Sequence, residues 1–108
     1  MSTPIKIIQP TGVFGGPQAT AFRQEIVDLV QAGVTVVLID CQEITFMDSS
    51  GLGALVVALK NLRTTNGQLF LCGVTEQVKM LFELTSMDKV FRILKDQAEF
   101  ETTIRPTL

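Results

Sequence analysis

The chain has 108 residues, a formal net charge of −2, 46% hydrophobic and 19% charged residues, which suits one domain with a packed core rather than a disordered chain. Its nine lysines and arginines are scattered along the sequence, so the clustered basic footprint of nucleic-acid or anionic-membrane binding is missing. There is no histidine; the usual general base and commonest metal ligand is absent, and a Ser-His-Asp triad cannot be assembled.

Residues 5–9 and the region of Val13-Phe14 read as two short strands joined by the turn Pro10-Thr11-Gly12, which suggests an antiparallel start. Gly15-Gly16 breaks that pattern, and Pro17 suits the first position of a helix. Ala19, Phe22, Ile26, Leu29 and Val30 then recur at helical spacing, and Gly33 stops the helix. Residues 34–39 form a β-branched apolar run, as expected of a central strand covered on both faces. A short element over 44–47 leads into Asp48-Ser49-Ser50-Gly51.

The next helix is predicted from about 50 to 65, closed by Asn66-Gly67, with a first half that is apolar almost all round. A strand over 69–72 follows. Thr75 is placed as N-cap of a helix through Leu84 with Val78, Leu81 and Phe82 inward. Residues 91–94 could form a last strand, and Asp96 with Glu99 resembles a capping box opening a C-terminal helix that carries Phe100 and Ile104. Alternation of strands and helices from residue 17 onward gives an α/β class.

Met1-Ser2-Thr3-Pro4 opens without the apolar region of a leader, and the run 34–39 is far short of the roughly 20 residues that cross a bilayer. Cys41 and Cys72 lack metal-type spacing and fall at or near strands. They are expected to be buried thiols in a reducing compartment, which points to the cytoplasm.

The segment Phe46-Met47-Asp48-Ser49-Ser50-Gly51-Leu52-Gly53 is a loop entering a helix. Asp48, Ser49 and Ser50 are all good caps for the free amides of a first turn, and on these residues alone capping is a sufficient account. If one hydroxyl is exposed, the place has a second use. A phosphate at a helix start is tolerated by the helix, yet it adds about −1.5 to −2 charges to a local surface, which suits a binary switch of binding. The apolar residues Leu52, Leu55 and Val56 can be read as buried against the sheet or as part of a partner-binding surface beside that switch.

Ile44-Thr45-Phe46-Met47-Asp48-Ser49-Ser50-Gly51-Leu52-Gly53 resembles the signature of the STAS domain family of bacterial anti-sigma factor antagonists. The apolar strand before it, Gly67 followed by the strand over 69–72, and the run 78–84 into Ser86 are similar in type and order. The likeness covers residues 5–105. It implies a single domain with a four- or five-stranded mixed sheet and helices mainly on one face. It also implies a phosphorylation-switched protein-binding regulator rather than an enzyme, needing no cofactor or metal. The implied partner is an anti-sigma factor that is a serine kinase with a histidine-kinase-like ATPase fold. That kinase would phosphorylate Ser49, with Ser50 as second candidate, and a PP2C-type phosphatase would reverse it. Asp48 and Gly51 would shape the site.

One departure stands out. Family members usually carry an acidic pair after the second strand, where this chain has Gly12-Val13-Phe14-Gly15-Gly16 without a carboxylate. The resemblance therefore leaves open a STAS interaction module of another signalling pathway. Two rival chemistries are weaker. A Ser-Lys pair would need Lys60 or Lys79 beside Ser49 or Ser50, and Gly51-Leu52-Gly53 lacks the third glycine or lysine of a phosphate-binding loop.

Overall fold

A computed structural model describes residues 4–108; Met1-Ser2-Thr3, at the start read as leaderless, lie outside the described residues. Strands β1 (Ile5–Ile8), β3 (Val36–Asp40), β5 (Gln68–Cys72) and β6 (Arg92–Leu94) form one sheet in the order β1-β3-β5-β6. Strands β2 (Gly12–Phe14) and β4 (Ile44–Met47) form a separate two-stranded ladder. Every pairing among the described residues is parallel, so the sheet is not mixed and the antiparallel start does not occur. The reason lies at the turn: Pro10 has no N–H to continue a ladder, and Gly12 at φ +76 turns the chain so that its N–H donates to the Glu43 carbonyl (3.0 Å). Strand β1 thus pairs with β3 while β2 pairs with β4.

All five residues of β3 are buried, as a strand covered on both faces must be. Its side chains alternate between two cores. Val37 and Ile39, with Leu69 and Leu71 of β5, face the larger one. Val36 and Leu38, with Phe70 and Cys72, face the smaller. The larger core is closed by α1 (Pro17–Gln31), α2 (Ser49–Arg63) and α3 (Glu76–Leu84). The smaller is closed by the C-terminal segment, an α turn (Gln97–Glu99) that widens into a π turn (Phe100–Ile104) and tightens into a 3₁₀ turn (Arg105–Thr107). Helices therefore lie mainly on one face, as expected.

The capping residues act as their types dictate. Asp96 accepts from the Glu99 N–H (2.9 Å), while the Glu99 carboxylate reaches back to the Lys95 N–H (2.7 Å), one residue earlier than in a standard capping box. Thr75 occupies the N-cap of α3 without a side-chain hydrogen bond. Cys41 and Cys72 are both buried free thiols. Burial pushes each up to about 12, with Cys72 and Asp40 adding to the effect at Cys41 and Asp40 adding to it at Cys72. Among the described residues no helix is long and apolar enough to cross a membrane.

Candidate functional site

Strand β4 delivers the chain to α2 through Asp48, whose extended backbone (φ −104, ψ −176) makes it the N-cap, so the helix begins at Ser49, one residue before the expected start. The Asp48 Oδ1 accepts from the Gly51 N–H (3.0 Å) and from the Ser50 hydroxyl (2.7 Å). These two bonds, the Ser50 one first, hold the carboxyl below its ordinary range. The Ser50 Oγ in turn accepts from the Gly16 N–H (2.9 Å). One hydroxyl thus ties the first turn of α2 to the loop that starts α1.

Ser49 differs from its neighbour. Both residues are exposed, but the Ser49 hydroxyl makes no hydrogen bond among the described residues. Of the two candidate acceptors, the structure leaves one hydroxyl unengaged and engages the other twice.

Three further residues build this geometry; Gly15 and Gly16 were legible only as a break before a helix and a departure from the family pattern, and Gln77 not at all. Gln77 of α3 pairs with Met47 through both ends of its amide: its Oε1 accepts from the Met47 N–H (2.8 Å) and its Nε2 donates to the Met47 carbonyl (2.9 Å). It stands in for a strand on the free edge of β4 and fixes the residue before Asp48. Gly15 lies so close that a Cβ there would overlap the Asp48 carboxylate. Gly16, at φ +52, serves as the N-cap residue of α1, a conformation in which a side chain is strained. Gly15 is therefore packed against the Asp48 carboxylate, and the Gly16 N–H is bonded to the Ser50 hydroxyl. Gly51, expected to shape the site, does so by close approach: a Cβ there would overlap the carbonyl oxygen of Phe14.

The proposed apolar surface is corrected. Leu52 and Leu55 are buried, at 7% and 0% exposure, and Val56 packs partly buried against the same core. Positions 52, 55, 59 and 62 fall on one helical face, and that face lies on the sheet. Among the apolar side chains that do reach solvent, Val13 (49%) and Phe46 (48%) are partners across the β2–β4 ladder, while Val57 is the exposed one on α2 and Met80, Leu84, Val90 and Ile93 lie elsewhere. Period-2 alternation would put Phe46 on the side of Ile44, yet in β4 only Ile44 and Met47 are buried, so the exposure of Phe46 was not legible in local pattern.

Lys60 sits eleven residues beyond Ser49 on the same helix, about 16 Å along its axis, too far to act as its base. Lys79 lines a cleft of about 540 Å³ with Val74, Glu83, Ile93, Leu94 and Lys95. Among the described residues no cluster of His, Cys, Asp or Glu could hold a metal ion.

The site is thus a helix start in an α/β domain at which one serine hydroxyl is unengaged and its neighbour is tied down. Comparison with known proteins identifies the domain. The STAS domain profile matches residues 2–104, and the chain belongs to the STAS domain family. The anti-sigma-B factor antagonist of Listeria monocytogenes is 35% identical over 77 residues, covering 70% of this chain and 68% of that protein. The crystal structure of a Thermotoga maritima protein described as a candidate anti-sigma factor antagonist superposes with a TM-score of 0.85 at 23% identity, over 92% of this chain and 86% of that one. The anti-sigma factor antagonist SpoIIAA in its unphosphorylated form gives 0.73 at 20% identity, over 94% and 89%. Its phosphorylated form gives 0.72 at 19%, over 94% and 93%.

Proposed function

We propose that this chain is an anti-sigma factor antagonist whose docking is switched by phosphorylation of Ser49. In the unmodified state it binds a serine-kinase anti-sigma factor with a histidine-kinase-like ATPase fold. That kinase transfers phosphate to Ser49, the modified form is released, and a PP2C-type phosphatase restores the binding form. The carrying observation is the contrast between two exposed serines: the Ser49 hydroxyl is unengaged, whereas that of Ser50 is tied to Asp48 and Gly16. A relative in sequence named for antagonism, and a fold neighbour known in phosphorylated and unphosphorylated forms, support the same reading.

The mechanism asks little of the fold. Because Ser49 is at the first helical position, an added phosphate meets free amide donors and a favourable dipole and leaves the helix intact. It changes a polar spot near the exposed Val13–Phe46 pair into a doubly charged one beside the Asp48 carboxylate. An apolar or acidic partner surface is then repelled. On this reading the protein acts in the cytoplasm as a binding regulator and not as an enzyme.

The glycine loop favours one alternative. With Gly15 and Gly16 in place of carboxylates, the kinase contact differs from that of relatives, and the same domain could serve a signalling pathway that acts on no sigma factor. Pulldown from source-cell lysate with wild type, Ser49→Ala and Ser49→Asp, read by mass spectrometry, tests both. Wild type and Ser49→Ala should retain a histidine-kinase-like serine kinase, and Ser49→Asp should lose it at least tenfold. Equal recovery by all three removes the switch; a captured partner of another class favours the alternative.

A further inference from the structure

A cation from another helix reaches the first turns of α2. Arg23 on α1 places its Nη2 3.6 Å from where a Cβ of Gly53 would stand. Among the described residues the one ion pair is Glu101–Arg105, so Arg23 faces no carboxylate at ion-pair distance. Gly53 is four residues beyond Ser49, one helical turn along the same face, where Cβ atoms lie about 6 Å apart. Side chains on a helix lean towards its N-terminus, so the space above Gly53 that the guanidinium occupies adjoins the Ser49 side chain.

We propose that Arg23 is the built-in receptor for the phosphate on Ser49, its guanidinium seated over Gly53 and closing on the phosphoryl oxygens as a two-pronged clamp. The inference rests on the reading of Ser49 as the modified residue and names what holds its modified state. A guanidinium fork matches phosphate geometry and binds it through paired N–H donors. Gly53 matters because its missing side chain leaves the seat open. Few other charges face the group. Asp48 is adjacent and repels it, the Gly15-Gly16 loop carries none, and α2 has none before Lys60. On α3, Glu76 and Lys79 flank Gln77, which meets β4. Phosphorylation then changes the docking face twice, adding a dianion and withdrawing the positive charge of Arg23.

The test installs phosphoserine at position 49 during translation, so no kinase is needed, and follows its second ionisation by 31P NMR. In wild type the midpoint should lie about half a pH unit below that of Arg23→Gln, the direction set by a nearby cation. The difference should shrink in 1 M salt, because the site is exposed. Arg23→Lys should recover part of it, and Gly53→Leu, which fills the seat, should behave as Arg23→Gln. Circular dichroism checks that each variant is folded. Equal midpoints for wild type and Arg23→Gln overturn the clamp, as does a Gly53→Leu protein that titrates like wild type. If the midpoints differ while the lysate experiment shows no switch, the functional reading fails and the clamp stands.

Discussion

The two faces of the sheet are built to different depths. On one, three helices enclose a core that includes Phe22, Ile26, Leu55, Leu62, Val78 and Phe82. On the other, a short C-terminal segment packs its Phe100 and Ile104 against Leu38 and Phe70 of the sheet, with a side-chain link from Gln97 Nε2 to the buried Asp40 carboxylate (2.7 Å). The candidate switch sits at the rim of the deep face, where β4, α2 and the α1 loop converge. A docking residue can change its charge without unfolding the domain only if its support is rigid, and the deep core supplies that support. The thin face should open first, since local opening follows the scarcity of buried apolar contacts.

Truncation on each face should separate them. Leu55→Ala removes a fully buried side chain from the inner face of the switch helix and should cost about 3–4 kcal/mol in urea unfolding. Ile104→Ala, at 3% exposure under the C-terminal turn, should cost nearer 2 kcal/mol, because that segment can settle into the space. Partner binding should survive Ile104→Ala at temperatures where the protein is folded. Equal losses of stability would mean that the C-terminal segment settles into a cavity no better than the deep core does.

The deep face was the legible one. The run over 34–39, the helical spacing from Ala19 to Val30 and the Asp48 motif each follow from local periodicity or capping chemistry, and the structure places them within a residue or two of expectation. What local pattern cannot carry is pairing between distant segments. The turn at Pro10-Thr11-Gly12 reads equally well as a hairpin, and only the competing partners of β1 and β2 decide against it. The same limit hid Gln77, a polar helix residue until Met47 is brought beside it 30 positions away. The burial of Leu52 and Leu55 was one of two open readings; the apolar surround of early α2 gave no means of choosing the face.

Gln77 offers the next test. Its amide satisfies both the N–H and the carbonyl of Met47, and Met47 is buried. Gln77→Ala leaves that backbone pair without its partner and should cost about 1–2 kcal/mol. Unlike Ile104→Ala, it should also weaken partner binding, because it frees the residue that precedes Asp48. Measuring binding by titration calorimetry at matched folded fraction separates the two effects. Unchanged affinity would show that the switch loop holds its shape without α3.

Asp48 should give the smallest effect and the most specific one. Its folded carboxyl titrates below the ordinary carboxylate range, held there by the Ser50 hydroxyl and then the Gly51 amide. A lowered folded value means that the unfolded chain takes up the proton first. The stabilisation is therefore present above the unfolded value and is lost as pH falls from there through the folded one. Asp48→Asn retains a good N-cap and an acceptor oxygen but cannot titrate. Between pH 5 and pH 2 its urea midpoint should fall less steeply than that of wild type, with the two curves differing by a constant above pH 5. Parallel curves throughout would mean that the bonds from Ser50 and Gly51 are no stronger to the charged carboxylate than to the neutral acid. The link from Asp48 through Ser50 to Gly16 would then be a matter of shape alone, and the charge of Asp48 would matter only to the partner and to the phosphate beside it.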